Sequence, residues 1–161
     1  MRILRVVLSI ALGTSAVSQA QKGKCGAFIA PGVWKEFMCE NIGGNQALFT
    51  WKEAQTACPS GFRLPTVAEW KGVAQNNKYE WKGGGGSYAT AAHFGDKLIL
   101  YPKGYSSEDG SYSSSENYYG YYWNNEPLEG KRAYNMVFSA SGVDAENYGM
   151  LGKFCVRCIA N

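Results

Sequence analysis

The side chains in this sequence that could do chemistry are five cysteines, one histidine, a scatter of carboxylates and a concentration of tyrosine. The cysteines stand at positions 25, 39, 58, 155 and 158, and the last two form a Cys-x-x-Cys. That spacing suits a redox pair or half of a zinc site. On an extended strand, however, residues three apart point to opposite faces, so Cys155 and Cys158 need different partners and a structural role is expected. His93 is the only histidine, with no second histidine, His-Glu-x-x-His or Ser/His/Asp set beside it. A catalytic cysteine should be a low-pKa thiolate beside a base, and the only histidine is distant in sequence from all five cysteines. His93 is therefore expected on the surface or in packing, no catalytic residue is assigned, and the chain is read as not an enzyme. Glu108, Asp109, Glu116 and Glu126 carry oxygens that calcium could use. Calcium takes about six to eight oxygens, and no spacing here compels a site. No cofactor and no metal ligand is expected, calcium through those carboxylates being the one alternative.

The segment from Tyr105 to Asn125 differs from everything before it. It holds six tyrosines and six serines, with Trp123, Asn117, Asn124 and Asn125. Such a mixture is poor in aliphatic core material and resembles a paratope. Tyrosine supplies broad contact area with few rotors to freeze, while serine, glycine and asparagine supply adaptable hydrogen bonds. The other reading is a long loop whose tyrosines cover a sheet. Tyr112, Tyr118, Tyr119, Asn124 and Asn125 are the expected ligand contacts.

Two short helices should position this segment. Thr50 is followed three residues later by Glu53, and Thr66 by Glu69, and each pair reads as a capping box. The first helix is expected from Trp51 to about Cys58, with Trp51, Ala54 and Cys58 on one face, stopped by Pro59 and Gly61. The second is expected from Val67 to about Gln75, with Val67, Trp70 and Ala74 inward and Asn76-Asn77 as its end. Phe62 to Pro65 should be an extended link, since a residue before proline is pushed out of the helical region. Phe28 to Ile42 reads as one or two strands, Asn41 to Asn45 as a turn, and Gly83 to Gly86 as a flexible loop.

Residues 1–20 carry Arg2 and Arg5, an apolar run from Val6 to Leu12 and small residues up to Ala20. This is the pattern of a secretory signal peptide cleaved after Ala20. The remainder, 21–161, suits one domain. Arg2 and Arg5 account for two of the three net positive charges. A nearly neutral mature chain has no electrostatic footprint for nucleic acid, and no membrane insertion is expected once the leader is gone. Export, to the periplasm, the cell surface or the medium, favours paired cysteines.

Cys58-Pro-Ser-Gly-Phe-Arg-Leu-Pro-Thr-Val-Ala-Glu-Trp70 resembles the Fibrobacter succinogenes major paralogous (FISUMP) domain, a bacterial branch of the C-type-lectin-like fold. Phe37 to Ile42, Leu100 to Tyr105, Tyr122 to Glu126, Ala133 to Phe138 and Gly152 to Cys158 are similar to further family blocks, in the family's order. The resemblance spans roughly Val33 to Ile159 and implies an α+β, C-type-lectin-like fold: two short helices on small antiparallel sheets, disulfide-stapled, with a long loop region. It implies that Cys58 on the first helix joins Cys158 on the last strand. It also implies that Cys39, on a first core strand paired with the last, joins Cys155. Cys25 is then left to be free, to link copies of the chain, or to compete with Cys155 for Cys39. By the family pattern Tyr121, Tyr122 and Trp123 pack, and the Tyr105–Asn125 segment falls where the fold presents ligands. Trp123-Asn-Asn-Glu-Pro127 is superficially similar to the calcium and sugar motifs of lectin relatives, but it lacks their aspartate and their order. Formylglycine-generating enzymes share the broad fold, and none of their motifs is present. The expected function is a secreted recognition or adhesion module that binds a protein or glycan through the Tyr/Ser/Asn-rich loop. The alternative is a structural or assembly subunit of a cell surface or extracellular particle.

Overall fold

Both capping boxes form. The Thr50 hydroxyl accepts the Glu53 amide at 3.4 Å, while Glu53 Oε2 accepts the Thr50 amide at 2.8 Å. The Thr66 and Glu69 pair does the same at 3.0 and 2.8 Å. They open α1 (Trp51–Ala54) and α2 (Val67–Asn76) in a computed structural model that describes residues 24–84, 89–113 and 115–161. The leader expected over residues 1–20, and Gly85 and Gly86 of the expected glycine loop, lie outside the described residues.

α1 is shorter than its sequence suggests. After Ala54 the amides of Thr56 and Ala57 reach back three residues rather than four, at 3.3 and 3.2 Å. The turn tightens and ends before Pro59. In α2 the buried residues are Trp70, Gly72 and Val73, with Val67 and Ala74 only half-buried. The expected stripe is thus rotated, because α2 lies flat on the first strand. A Cβ at Gly72 would fall 1.8 Å from the Ile29 carbonyl oxygen, an approach only glycine permits.

Arg63, on the extended link, places its guanidinium fork on Glu69 at 2.8 and 2.7 Å. Burial pushes the Glu69 carboxyl up, but the bonds from Arg63 and from the Thr66 amide prevail and hold it below its ordinary 4.5. A carboxylate with a depressed folded pKa stabilises the fold above its unfolded pKa and loses that contribution as pH falls through the folded value. The melting temperature should therefore drop between about pH 5 and the folded pKa of Glu69. Glu69→Gln should melt lower at pH 7 and flatten that part of the profile; an unchanged profile would show that Glu69 gains nothing on folding.

Among the described residues the strands make four small antiparallel sheets. β1 (Gly26–Ala30) pairs with β2 (Val33–Glu36). β3 (Phe62–Arg63) pairs with β10 (Ile159–Ala160), which confirms the extended link. β4 (Tyr79–Lys82), β5 (Ala91–Phe94) and β6 (Leu98–Leu100) form a meander. β7 (Tyr119–Leu128), β8 (Arg132–Ser139) and β9 (Gly142–Gly149) form the longest sheet, in that order. The protein is α+β, with few helices. Alternate side chains of β7 serve two cores. Tyr122 enters one with Phe37, Trp70, Phe94, Leu100 and Phe138, and Trp123 enters another with Ala54, Leu64, Phe154 and Val156.

Two disulfides staple this frame. Cys58 joins Cys158, tying the turn after α1 to the residue just before the last strand. Cys39 joins Cys25, not Cys155, which corrects the second expected bridge. The chain end does meet the Cys39 segment, but with Phe37 opposite Ile159 and the Met38 amide on the Cys158 carbonyl at 2.9 Å. Cys155 is then three residues away and lies beside Tyr122 on β7, its amide on the Tyr121 carbonyl at 3.0 Å. The β1–β2 hairpin instead carries Cys25 back to Phe37, and the Cα atoms of Cys25 and Cys39 come within 5.1 Å. Cys155 remains a free, fully buried thiol. Two such bridges suggest an oxidising, extracytoplasmic environment. Among the described residues no helix is long and apolar enough to cross a membrane.

Candidate functional site

The tyrosine-rich loop is pinned at several points. The Ser106 amide bonds the Lys153 carbonyl at 3.0 Å and the Ser107 amide the Ser111 carbonyl at 2.8 Å, closing a tight turn. Inside it, Asp109 Oδ1 accepts the Ser111 amide at 2.9 Å and the Ser107 hydroxyl. The Ser107 hydroxyl and the Ser111 amide hold the Asp109 carboxyl down to about 2. These bonds commit Asp109 to the loop itself.

Beyond the turn, Lys103 and Glu116 form an ion pair at 2.5 Å. Burial works against the charge on Lys103, but Glu116 and the Tyr112 hydroxyl outweigh it and raise its pKa. Tyr112 lays its ring under Lys103 Nζ, 5.6 Å from the centroid, and donates its hydroxyl to the Lys103 carbonyl at 2.7 Å. The next residue, Gly104, gives its amide to the Tyr119 carbonyl at 2.9 Å. Tyr112 and Tyr119 are thus fastened to adjacent residues of one segment, with Tyr118 between Tyr119 and the Ser115 turn. All three remain open to solvent, at 50 %, 51 % and 44 % for Tyr112, Tyr118 and Tyr119. The Tyr119 ring rests on Tyr121 at 6.3 Å, Tyr121 on Phe154 at 5.3 Å, and Phe154 stacks on Trp123 at 4.2 Å. The surface ring therefore stands on a chain of rings that runs into the core.

The two expected asparagine contacts do not join this surface. Asn124 is fully buried, and its carbonyl accepts the Trp51 indole N–H at 3.0 Å. Asn125 is half-buried and gives its amide to the Pro65 carbonyl at 3.0 Å. Both sit where the β7–β8 register slips between Trp123 and Pro127, and this bulge turns them toward the helical corner. Glu126 likewise accepts the Val67 amide at 2.9 Å and serves the start of α2.

Beside Tyr112 lies a hollow of about 210 Å³ lined by Asn45, Gln46, Thr90, Lys103, Glu116 and Asn117, among others. Asn45 Oδ1 is buried there without a hydrogen-bond partner among the described residues. Lys103 is the positioning residue that sequence reasoning missed, and its partner Glu116 was singled out only as an oxygen for calcium. They stand 13 residues apart, beyond any local spacing that would mark them as a pair.

No family model, curated protein or solved structure matches this chain.

The remaining chemical candidates fall in packing positions. His93 is half-buried on β5 between Glu80 and Ile99, and burial, with Lys82 nearby, lowers its pKa. Burial pushes the Cys155 thiol up to about 12. Among the described residues no group of three or more His, Cys, Asp or Glu is placed to hold a metal ion. Of the three fates open to Cys25, the structure shows the last, since it takes Cys39 in place of Cys155. A buried polar relay also emerges: Arg157 Nε donates to Asn41 at 2.9 Å, Asn41 to the Tyr122 hydroxyl at 3.0 Å, and that hydroxyl to the Tyr101 carbonyl at 3.2 Å.

Proposed function

We propose that this protein is a secreted, non-enzymatic recognition module of C-type-lectin-like fold that binds a surface ligand through Tyr112, Tyr118 and Tyr119. The observation that carries the reading is that these three large rings stay exposed where a fastened loop runs into the start of β7. A rigid aromatic surface loses little conformational freedom on binding, which is what makes tyrosine an effective contact. The polar hollow alongside, with its amides and the Lys103–Glu116 pair, favours a glycan, whose hydroxyls need both donors and acceptors. The lectin-like fold is supported by the Cys58–Cys158 bridge, which joins the turn after α1 to the residue before β10, and by the order of the family-like blocks. The buried, protonated Cys155 and the packed His93 support a non-catalytic role.

A glycan array and a surface pull-down, each with and without a chelator, test the proposal. Tyr118→Ala and Tyr119→Ala should each weaken binding by ~2 kcal/mol, about thirtyfold, with the melting temperature nearly unchanged. Tyr112→Phe should loosen the loop, since its hydroxyl is bound internally, and Tyr112→Ala should remove the contact as well. Lower stability with intact binding would mark these tyrosines as packing. Binding abolished by the chelator would move the site to the carboxylates.

A further inference from the structure

β9 ends the β7–β8–β9 sheet, and no strand lies against its outer edge among the described residues. A free edge is a template for another strand. Beside it runs a groove of about 440 Å³ between α2 and the sheet, lined by Trp70, Lys71, Ala74, Met136, Val143 and Asp144, among others. The groove and the edge are continuous, since Val143, Asp144 and Ala145 belong to both.

The register decides what each face of an added strand would meet. Val143 stands opposite Phe138 and Ala145 opposite Met136, so these two share the face packed on α2. Asp144 and Glu146 fall on the other face, and both are exposed. A second copy added antiparallel at this edge would set these carboxylates against their own counterparts, which opposes self-pairing. A strand carrying cations at alternate positions meets them favourably. One further contact couples charge to backbone: the Ala145 amide donates to Asp144 Oδ1 at 2.7 Å, so the carboxylate occupies a donor of the strand. A cation that draws Asp144 away releases that amide for pairing.

We propose that β9 and the α2 groove receive an extended peptide segment of alternating apolar and basic residues. It adds to the sheet as a further strand, its apolar side chains entering the groove and its basic ones meeting Asp144 and Glu146. This is strand addition, in which the main chain supplies affinity and alternate side chains supply choice. The surface is separate from the tyrosine loop and stands or falls independently of it.

The test titrates the protein with a blocked (Lys-Val)₃ peptide, followed by backbone amide NMR. The expected result is saturable shifts at Val143 to Asn147 and at Trp70 and Ala74, with slowed hydrogen exchange at Ala145. The double variant Asp144→Asn/Glu146→Gln should bind at least tenfold more weakly, and a (Glu-Val)₃ peptide should not bind. Two N-methylated versions of the lysine peptide, blocking alternate amides in the two possible frames, leave the protein untouched. Loss of binding in at least one frame supports strand addition. Full binding by both, shifts confined to residues 105–126, or no saturable binding would overturn it.

Discussion

Trp70→Ala is expected to cost ~3–5 kcal/mol of folding stability, the range for removing a large buried aromatic. Trp70 is 1 % exposed and lies between α2 and the sheets, its ring 5.3 Å from Phe37 and 6.3 Å from Tyr122. Truncation would leave a void in the larger core that α2 cannot close, because Gly72 already holds the helix against the Ile29 backbone. Trp70→Phe separates volume from polarity. The indole N–H has no acceptor among the described residues, so phenylalanine gives up no hydrogen bond and should cost much less. Trp51→Ala should also cost less than Trp70→Ala, since Trp51 is only half-buried, though it loses the bond to the Asn124 carbonyl. Urea unfolding of the three variants checks the order. A Trp70→Ala protein that unfolds like the parent would mean that α2 is not anchored through this ring.

Removing the Cys58–Cys158 bridge with the double change Cys58→Ala/Cys158→Ala should cost ~2–5 kcal/mol. The bridge closes a loop with a sequence separation of 100, and the chain-entropy account puts its gain near ~4–5 kcal/mol. It also fastens the end of β10, a strand only two residues long that pairs with β3. Losing it should therefore free the chain end as well as relax the unfolded state. The Cys25–Cys39 bridge spans a separation of 14 and should contribute less, about 3 kcal/mol. Peptide mapping under non-reducing conditions should recover Cys58 with Cys158 and Cys25 with Cys39. Recovery of Cys58 joined to Cys155 would refute this arrangement.

What could be read from the sequence was what local chemistry decides. Thr50 with Glu53 and Thr66 with Glu69 contain their whole structural argument within four residues, and both boxes form as expected. The end of α1 was less legible, because whether a helix continues past Ala54 depends on how Pro59 and the bridge draw the chain away. The partner of Cys39 is a question of strand register, and register is set by contacts more than a hundred residues apart. Asn124 and Asn125 look like loop residues by composition, yet a slip in the β7–β8 ladder turns them inward. The exposed tyrosines were legible as a group, but not the internal bond that fixes Tyr112, since Lys103 carries no mark of its role. The edge of β9 had no signature at all, because an edge is a property of the assembled sheet.

Cys155 has one more consequence. The other four cysteines are locked in bridges, and this thiol is buried and held in its protonated form. A thiol reagent added to the oxidised protein reaches it only when the surrounding core opens. At high reagent concentration, labelling proceeds at the rate of that opening; at low concentration it follows the fraction of time spent open. The natural sequence thus carries a single-site clock for its own unfolding, readable by mass alone, without an engineered probe.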